Sequence, residues 1–222
     1  KPRQRWWRRW VKRSAVALIL RELNDHIEVL MIKRADREGD PWSGHMAFPG
    51  GRMDRDDVTG LRTAIRETEE ETGIYLEKAG HCIGRLSDIV SRPHSGRRPM
   101  VVTPYVFKLH TAVSIQANHE VAEAVWIPLS FLMDPSQRDT MEWRRGKLAM
   151  TLPCYHFGKR RIWGMSSPNI PASRIEISSI RPRLPGGLVR VSCRARAAAI
   201  AASLSGLMAS SVWSINGDIG MT

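Results

Sequence analysis

The feature that most constrains this chain is an acidic helical segment placed directly after a glycine-rich loop. The loop spans residues 34–57 and reads RADREGDPWSGHMAFPGGRMDRDD, so it is dense in Gly, Pro and Asp. The next segment, 59–72, is composed of helix-forming residues, and Gly73 stands where a helix C-cap falls. On such a helix, three glutamates at positions i, i+3 and i+4 share one face. They are Glu67, Glu70 and Glu71.

Three neighbouring carboxylates repel one another, and a cation among them stabilises the cluster. Mg²⁺ suits this role because it prefers oxygen ligands and bridges carboxylates to phosphates, and Mn²⁺ is an alternative ion. The competing interpretation is a solvated acidic helix face, which is the commoner origin of an acidic run. The context favours the metal site, because a diglycine lets the backbone approach a ligand closely and Arg66 can orient a neighbouring carboxylate.

The pattern around this segment predicts a mixed sheet with helices packed against it. Two β-rich runs, 14–20 and 27–32, are joined by a polar connection and read as a hairpin. Further strands are predicted at 82–90, 100–109 and 122–127, a second short helix from Ser130 through Met133 into the following stretch, and a final hairpin strand at 155–163.

The formal net charge of +12 is concentrated in the flanks of the chain. Residues 1–13 hold seven basic residues and no acidic residue, whereas residues 14–164 hold 21 basic and 20 acidic residues. The first 13 residues could contact nucleic acid or an anionic surface through charge and tryptophan rings, and a disordered tail is the alternative.

The three cysteines, Cys82, Cys154 and Cys193, fit neither a disulfide framework nor a zinc pair pattern. They predict a reducing, cytoplasmic compartment. No apolar run is long enough to predict a transmembrane segment.

Residues 50–74 resemble a Nudix box. Arg66, Glu67, Glu70, Glu71, Gly73 and Ile74 match that pattern in register. Thr68 occupies its usual apolar position, and the spacer between Gly51 and Arg66 is one residue longer than the commonest form. The segments AFPGG, VTP, HEVAEAVWIPL and RIWGM are similar to the coenzyme A pyrophosphatase-like branch.

The resemblance implies an α+β fold, a Nudix-like α/β/α sandwich with a mixed sheet. It divides the chain into a basic tail at 1–13, a Nudix hydrolase domain at 14–165 and a divergent C-terminal extension at 166–222. Asp40 stands where the coenzyme A branch usually has Arg, a departure that bears on the coenzyme A moiety and not on the diphosphate.

The resemblance also implies site residues. Glu67, Glu70 and Glu71 would hold the metal, and the catalytic base would be a box glutamate such as Glu70 or the later Glu120. Three arginines in loops, whose bidentate donors suit a phosphate, are the candidate substrate-binding residues, although basic loops are usually only solvated. They are Arg52, Arg97 and Arg98.

The expected function is Mg²⁺-dependent hydrolysis of a phosphoanhydride bond in a small nucleotide derivative, with coenzyme A or acyl-coenzyme A as the first compound to test. The alternative is a Nudix-fold module that binds a nucleotide or RNA without hydrolysing it. The resemblance leaves a homodimer open.

Overall fold

The computed structural model describes residues 11–38, 43–91, 99–145 and 148–163. The strands are β1 (Lys12–Leu23), β2 (His26–Arg34), β3 (Met46–Ala47), β4 (Gly50–Arg52), β5 (Gly80–Arg85), β6 (Ile89–Ser91), β7 (Met100–Leu109), β8 (Val121–Pro128), β9 (Arg138–Arg145), β10 (Leu148–Phe157) and β11 (Arg160–Trp163). The helices are α1 (Gly60–Thr72), α2 (Leu76–Ala79) and α3 (Leu129–Met133), and a 3₁₀ turn follows at Pro135–Gln137. No helix within these ranges is both long and apolar enough to cross a lipid bilayer.

The main sheet is mixed, as the sequence predicts. Its strand order is β3-β2-β1-β7-β5, with β4 pairing β1, β6 pairing β7 and β8 pairing β2. β1 and β7 run parallel, and the other described pairs in this sheet are antiparallel. A second, antiparallel sheet has the order β11-β10-β9. β1 and β2 are joined at Asn24 and Asp25, both at positive φ, which matches a two-residue hairpin turn.

Alternate residues of β1 face opposite sides of the main sheet, and both faces are buried. One face packs on α1 and α2 through a cluster that includes Ala15, Ala17, Ile19, Ala64 and Leu76. The other face packs on α3 and on the second sheet through a cluster that includes Val16, Leu18, Leu129, Leu132 and Ile162. This two-sided burial is the layered sandwich that the resemblance predicts.

Helix α1 has well-defined ends, which fix where its acidic face begins. Thr59 is the N-cap, and its hydroxyl accepts a hydrogen bond from the Arg62 N–H at 3.3 Å. Gly73 is the C-cap at φ +69°, and its N–H donates to the Glu69 carbonyl at 2.8 Å.

Thr68, which replaces the usual apolar residue of the motif, is fully buried on the inner face of α1. Its hydroxyl donates to the Ala64 carbonyl one turn earlier at 2.7 Å, so the hydroxyl is satisfied within the helix. The side chain therefore behaves like an apolar residue at this position, and the sandwich accommodates it without a polar partner from the sheet.

Three predicted elements differ from the observed ones. The strand expected at 82–90 is divided into β5 and β6, with a register shift between Cys82 and Gly84. The prediction that helix continues after Met133 was wrong, because the 3₁₀ turn begins at Pro135 and is followed by β9. The strand expected at 155–163 is parts of β10 and β11 joined at Gly158, which has φ +61°.

Replacing Thr68 separates the contribution of its methyl group from that of its hydroxyl. We expect Thr68→Val to change the free energy of unfolding by about 0.5–1 kcal/mol at most, because the helix backbone does not need the hydrogen bond that is lost. Thr68→Ser removes a buried methyl group and should cost about 1 kcal/mol. Urea denaturation measures both changes, and a larger loss in the Val variant than in the Ser variant would contradict this account.

Candidate active site

The diglycine loop and the acidic face of α1 are in direct contact. The Gly50 N–H donates to the Glu71 carboxylate at 2.9 Å. A Cβ on Gly51 would lie 2.4 Å from Cδ of Glu67, and one on Gly50, at φ +150°, would lie 2.3 Å from the Ala15 carbonyl oxygen. Gly50 therefore requires glycine because the backbone of β1 occupies the place of a Cβ, whereas a Cβ at Gly51 would displace the Glu67 carboxylate.

Glu71 is a buried carboxylate, with only 5% of its surface exposed. Its pKa is raised to about 8, chiefly by burial; the hydrogen bond from the Gly50 N–H and the charge of Arg34 oppose this rise, and the charges of Glu67 and Glu120 add to it. Glu67 is also mostly buried, and burial raises its pKa, whereas Arg66 lowers it. The fold thus brings two carboxylates together at a place that disfavours their charge.

The Arg66 guanidinium contacts four carboxylates of the loop and the helix. It lies 2.9 Å from both Asp57 and Glu67, 3.0 Å from Glu70 and 3.6 Å from Asp54. It also donates to the Arg52 carbonyl at 3.1 Å, which ties the helix to the loop. Hydrogen bonding to Arg66 lowers the pKa of Asp57. Asp57 therefore anchors the Arg66 guanidinium from the segment before α1.

Glu120 lies in a loop that is fastened to the end of α1. The Gln116 N–H donates to the Thr72 carbonyl at 2.8 Å and the Asn118 N–H to the Glu71 carbonyl at 3.2 Å, so the loop satisfies terminal carbonyls of the helix. The Glu120 carboxylate pairs with Arg37 at 3.2 Å and remains 43% exposed. Its charge acts on Glu71, so the structure brings the two predicted site residues together.

Arg52 borders a cavity beside this network. The cavity has a volume of about 590 Å³ and is lined by basic residues from the start of β1, by Arg52 and by the acidic partners of Arg66. Those residues are Lys12, Arg13, Arg52, Asp54 and Asp57. A second cavity of about 460 Å³ shares Arg13 and Met53 with the first and extends to Arg85 and Tyr105.

The family model of the NUDIX domain matches residues 11–150, and this range contains the glycine loop, α1 and Glu120. The chain belongs to the Nudix family. Its Nudix box is the segment whose loop and helix carry Gly50, Gly51, Arg66, Glu67 and Glu71.

Two curated relatives illustrate the similarity. The chain is 41% identical over 110 residues to an uncharacterized protein of Schizosaccharomyces pombe, covering 48% of this chain and 33% of the relative. It is 32% identical over 126 residues to the mitochondrial coenzyme A diphosphatase NUDT8 of Mus musculus, covering 56% of this chain and 58% of that protein. The matched region thus spans one third to just over half of these relatives.

A solved structure also matches. The chain is 26% identical to a C. elegans Ap4A hydrolase crystallised as a binary complex, with a TM-score of 0.45 over 54% of this chain and 82% of that one.

Other residues fall elsewhere. Arg97 and Arg98 lie outside the described residues, as do Asp40 and residues 1–10 of the basic tail, so their roles stay predictions. Phe48, the aromatic residue two positions before the diglycine, belongs to the core and is 2% exposed. The second glutamate near the predicted base, Glu123, binds Arg160 of β11 at 2.9 Å.

Sequence reasoning missed Arg34 and Arg37, which act on the carboxylates of this Nudix site from the end of β2 and the loop after it. Neither residue belongs to a motif, and each reaches the site only through the pairing of β2 with its neighbours. A basic residue at the end of a strand next to the loop was the only available signal.

The raised pKa of Glu71 predicts how the metal-free Nudix domain responds to pH. Between about pH 4.5 and 8, the folded protein keeps a proton on Glu71. The unfolded chain, whose carboxyl has the ordinary pKa of 4.5, has lost that proton in the same range. The contribution to stability is therefore complete below about pH 4.5 and is lost progressively as the pH rises from there through about 8, an effect on the order of 5 kcal/mol.

Urea denaturation from pH 5 to 8.5 in a chelator measures this loss, and Glu71→Gln should reduce its slope because glutamine does not titrate. Adding Mg²⁺ at pH 8 should restore stability to the wild-type protein more than to Glu71→Gln. Identical pH profiles for the two proteins in chelator would contradict the assignment.

Proposed function

We propose that this Nudix domain is a pyrophosphohydrolase that cleaves a phosphoanhydride bond in a nucleotide derivative with a divalent cation, Mg²⁺ or Mn²⁺. The observation that carries the proposal is the burial of Glu71 beside Glu67 against the diglycine loop. A carboxylate with a pKa of about 8 is costly to ionise in the folded protein, and a bound cation removes that cost.

The donor set fits the proposed cation. Glu67 and Glu71 would be direct ligands, and Glu70, which is exposed and held by Arg66, would complete the set. All of these donors are oxygens, the ligands that Mg²⁺ prefers. When bound, the cation would neutralise phosphate charge and lower the pKa of a bound water.

The other residues of the site would position this set. Arg66 pairs with Glu67 and Glu70, and Asp57 pairs with the same guanidinium, so the carboxylates are arranged before substrate arrives. The Gly50 N–H fixes one oxygen of Glu71. Such preorganisation limits the motion needed when phosphate binds.

Glu120 is the proposed general base. It would accept a proton from the attacking water as the water oxygen bonds to phosphorus, and the bridging P–O bond would break to release the second phosphorylated product. Its half-exposed carboxylate is accessible to water, its charge acts on Glu71, and Arg37 holds it. Glu70, also exposed, is the alternative base within the helix.

The proposed substrate class is a nucleotide diphosphate derivative, with coenzyme A and acyl-coenzyme A tested first. Support comes from the mouse relative, which is a coenzyme A diphosphatase. The cavity beside Arg52, with Lys12 and Arg13 on its wall, offers basic side chains to a phosphate group. Arg97 and Arg98 are proposed as further phosphate-binding residues on the sequence alone.

Two substitutions on the same helix test the metal site. We expect Glu71→Gln to lower Mg²⁺-dependent turnover at least about 100-fold, because a glutamine amide is a weaker cation ligand and leaves the cluster incomplete. The matched control is Glu69→Gln, which removes an exposed carboxylate on the same helix outside the metal set and should keep turnover within about threefold.

The assay is product identification by mass spectrometry across coenzyme A, acyl-coenzyme A and other nucleotide diphosphates, with and without Mg²⁺. Equal activity of the two variants would place the site elsewhere. Absence of any turnover by the wild-type protein, with retained nucleotide binding, would favour the binding-module alternative.

A third variant tests the base. Glu120→Gln should lower kcat about 100-fold or more while leaving Mg²⁺ affinity within a few fold, because Glu120 takes a proton and is not in the proposed ligand set. Glu123→Gln is the comparison, since Glu123 binds Arg160 and should not affect kcat by more than a few fold. Steady-state kinetics and Mn²⁺ titration measure the two quantities, and an unchanged kcat in Glu120→Gln would leave Glu70 as the base.

A further inference from the structure

Cys154, His156 and Asp139 converge on one face of the second sheet, away from the Nudix site. Cys154 and His156 are two residues apart on β10 and therefore point to the same face. Asp139 on β9 is the register partner of Cys154 across the strand pair. One donor atom from each side chain lies within 4.8 Å of the other two. The strand pairing itself thus assembles the cluster.

Two distances in the cluster, both from His156, match those of ligands on a tetrahedral ion. Nε2 of His156 lies 3.6 Å from Sγ of Cys154 and 3.4 Å from Oδ2 of Asp139. Zinc bonds of about 2.3 Å to sulfur and about 2.0–2.2 Å to nitrogen and oxygen, at a tetrahedral angle, separate the nitrogen from the sulfur by about 3.6 Å and from the oxygen by about 3.4 Å. The His156 nitrogen therefore lies at ligand spacing from each of the other two donor atoms.

We propose that Asp139, Cys154 and His156 form a zinc site with the fourth position open to water. A thiolate and a carboxylate neutralise a divalent cation, and a neutral imidazole adds a third ligand that suits zinc. Cys154 is fully buried, whereas His156 and Asp139 are about half exposed, so the thiolate forms the protected side of the site and solvent can reach the other.

A cation here would fasten β9 to β10 close to the joint between the two sheets. Cys154 is also paired with Trp163 of β11, whose ring packs edge-on against His45 at 4.8 Å between centroids. His45 precedes β3, and its carbonyl accepts a hydrogen bond from the Arg34 N–H at 2.9 Å. The site would thus support the hairpin that lies against the loop leading to the diglycine.

Cobalt substitution tests the proposal in the full chain. Metal-free protein is titrated with Co²⁺ in a large excess of Mg²⁺, added to fill the proposed carboxylate site, and the near-ultraviolet band of a thiolate–cobalt bond is recorded. We expect one equivalent to produce the band, Zn²⁺ to displace it, and Cys154→Ser to abolish it. Cys82→Ser and Cys193→Ser are the matched controls and should keep it.

Two exposed substitutions make the test independent of the buried cysteine. His156→Gln and Asp139→Asn should each fold normally by circular dichroism and lower Zn²⁺ affinity at least about tenfold, since even an outer-shell partner contributes that much. Zn²⁺ should raise the Tm of the wild-type protein but not that of His156→Gln.

Three results would overturn the proposal. They are a wild-type protein without the cobalt band, a band that survives in Cys154→Ser, and an unchanged Zn²⁺ affinity in both His156→Gln and Asp139→Asn. In any of these cases the cluster is a thiol–imidazole contact beside a contact between His156 and Asp139.

Discussion

The arrangement of the acidic site depends on the contacts of the Arg66 guanidinium with the surrounding carboxylates. It contacts carboxylates from the loop and from its own helix, together with the Arg52 carbonyl. Without this cation, the carboxylates of the loop and helix would repel one another where burial already disfavours their charge. Its contacts with both elements therefore hold the loop against the helix and keep the diglycine beside Glu71. Arg66 neutralises part of the negative charge of the cluster, but Glu67 and Glu71 together carry more negative charge than it balances. The proposed cation would supply the remaining positive charge.

The sandwich supplies the rigid support for that contact. Ala15 and Ala17 on β1 are small, and they lie in the same buried cluster as Ala64, so α1 packs closely on the sheet. The close fit extends to Gly50, where no side chain could be placed beside the Ala15 carbonyl. Glu120 is supported in a different way, through backbone hydrogen bonds from its loop to the C-terminal carbonyls of α1. Two separate parts of the chain thereby meet at Glu71, one through the sheet and one through the helix end.

Much of this site is predictable from local sequence, because helix ends and carboxylate spacing are local properties. Thr59, Gly73 and the i, i+3, i+4 spacing gave the observed helix and its acidic face. The hairpin of β9 and β10 was not predicted from the sequence. Its strands are defined by their pairing with each other, and Pro153 lies inside β10, the central strand of its sheet. A proline there removes a backbone donor and argues against a central strand in any reading of the sequence alone. The local sequence does not reveal the role of Asp57, because its partner Arg66 is nine residues away.

The sequence by itself determined that a glycine loop is followed by a helix with three glutamates on one face, and it determined the family through that motif. The tertiary structure decided which of these carboxylates is buried, because burial depends on β1, β4 and the loop before β8 packing around Glu71. It also decided that Arg34 and Arg37 act on the site and that Asp139 meets Cys154 and His156. The physical reason is that charge, capping and periodicity are properties of neighbouring residues, whereas desolvation and cross-strand proximity exist only after distant segments have packed together.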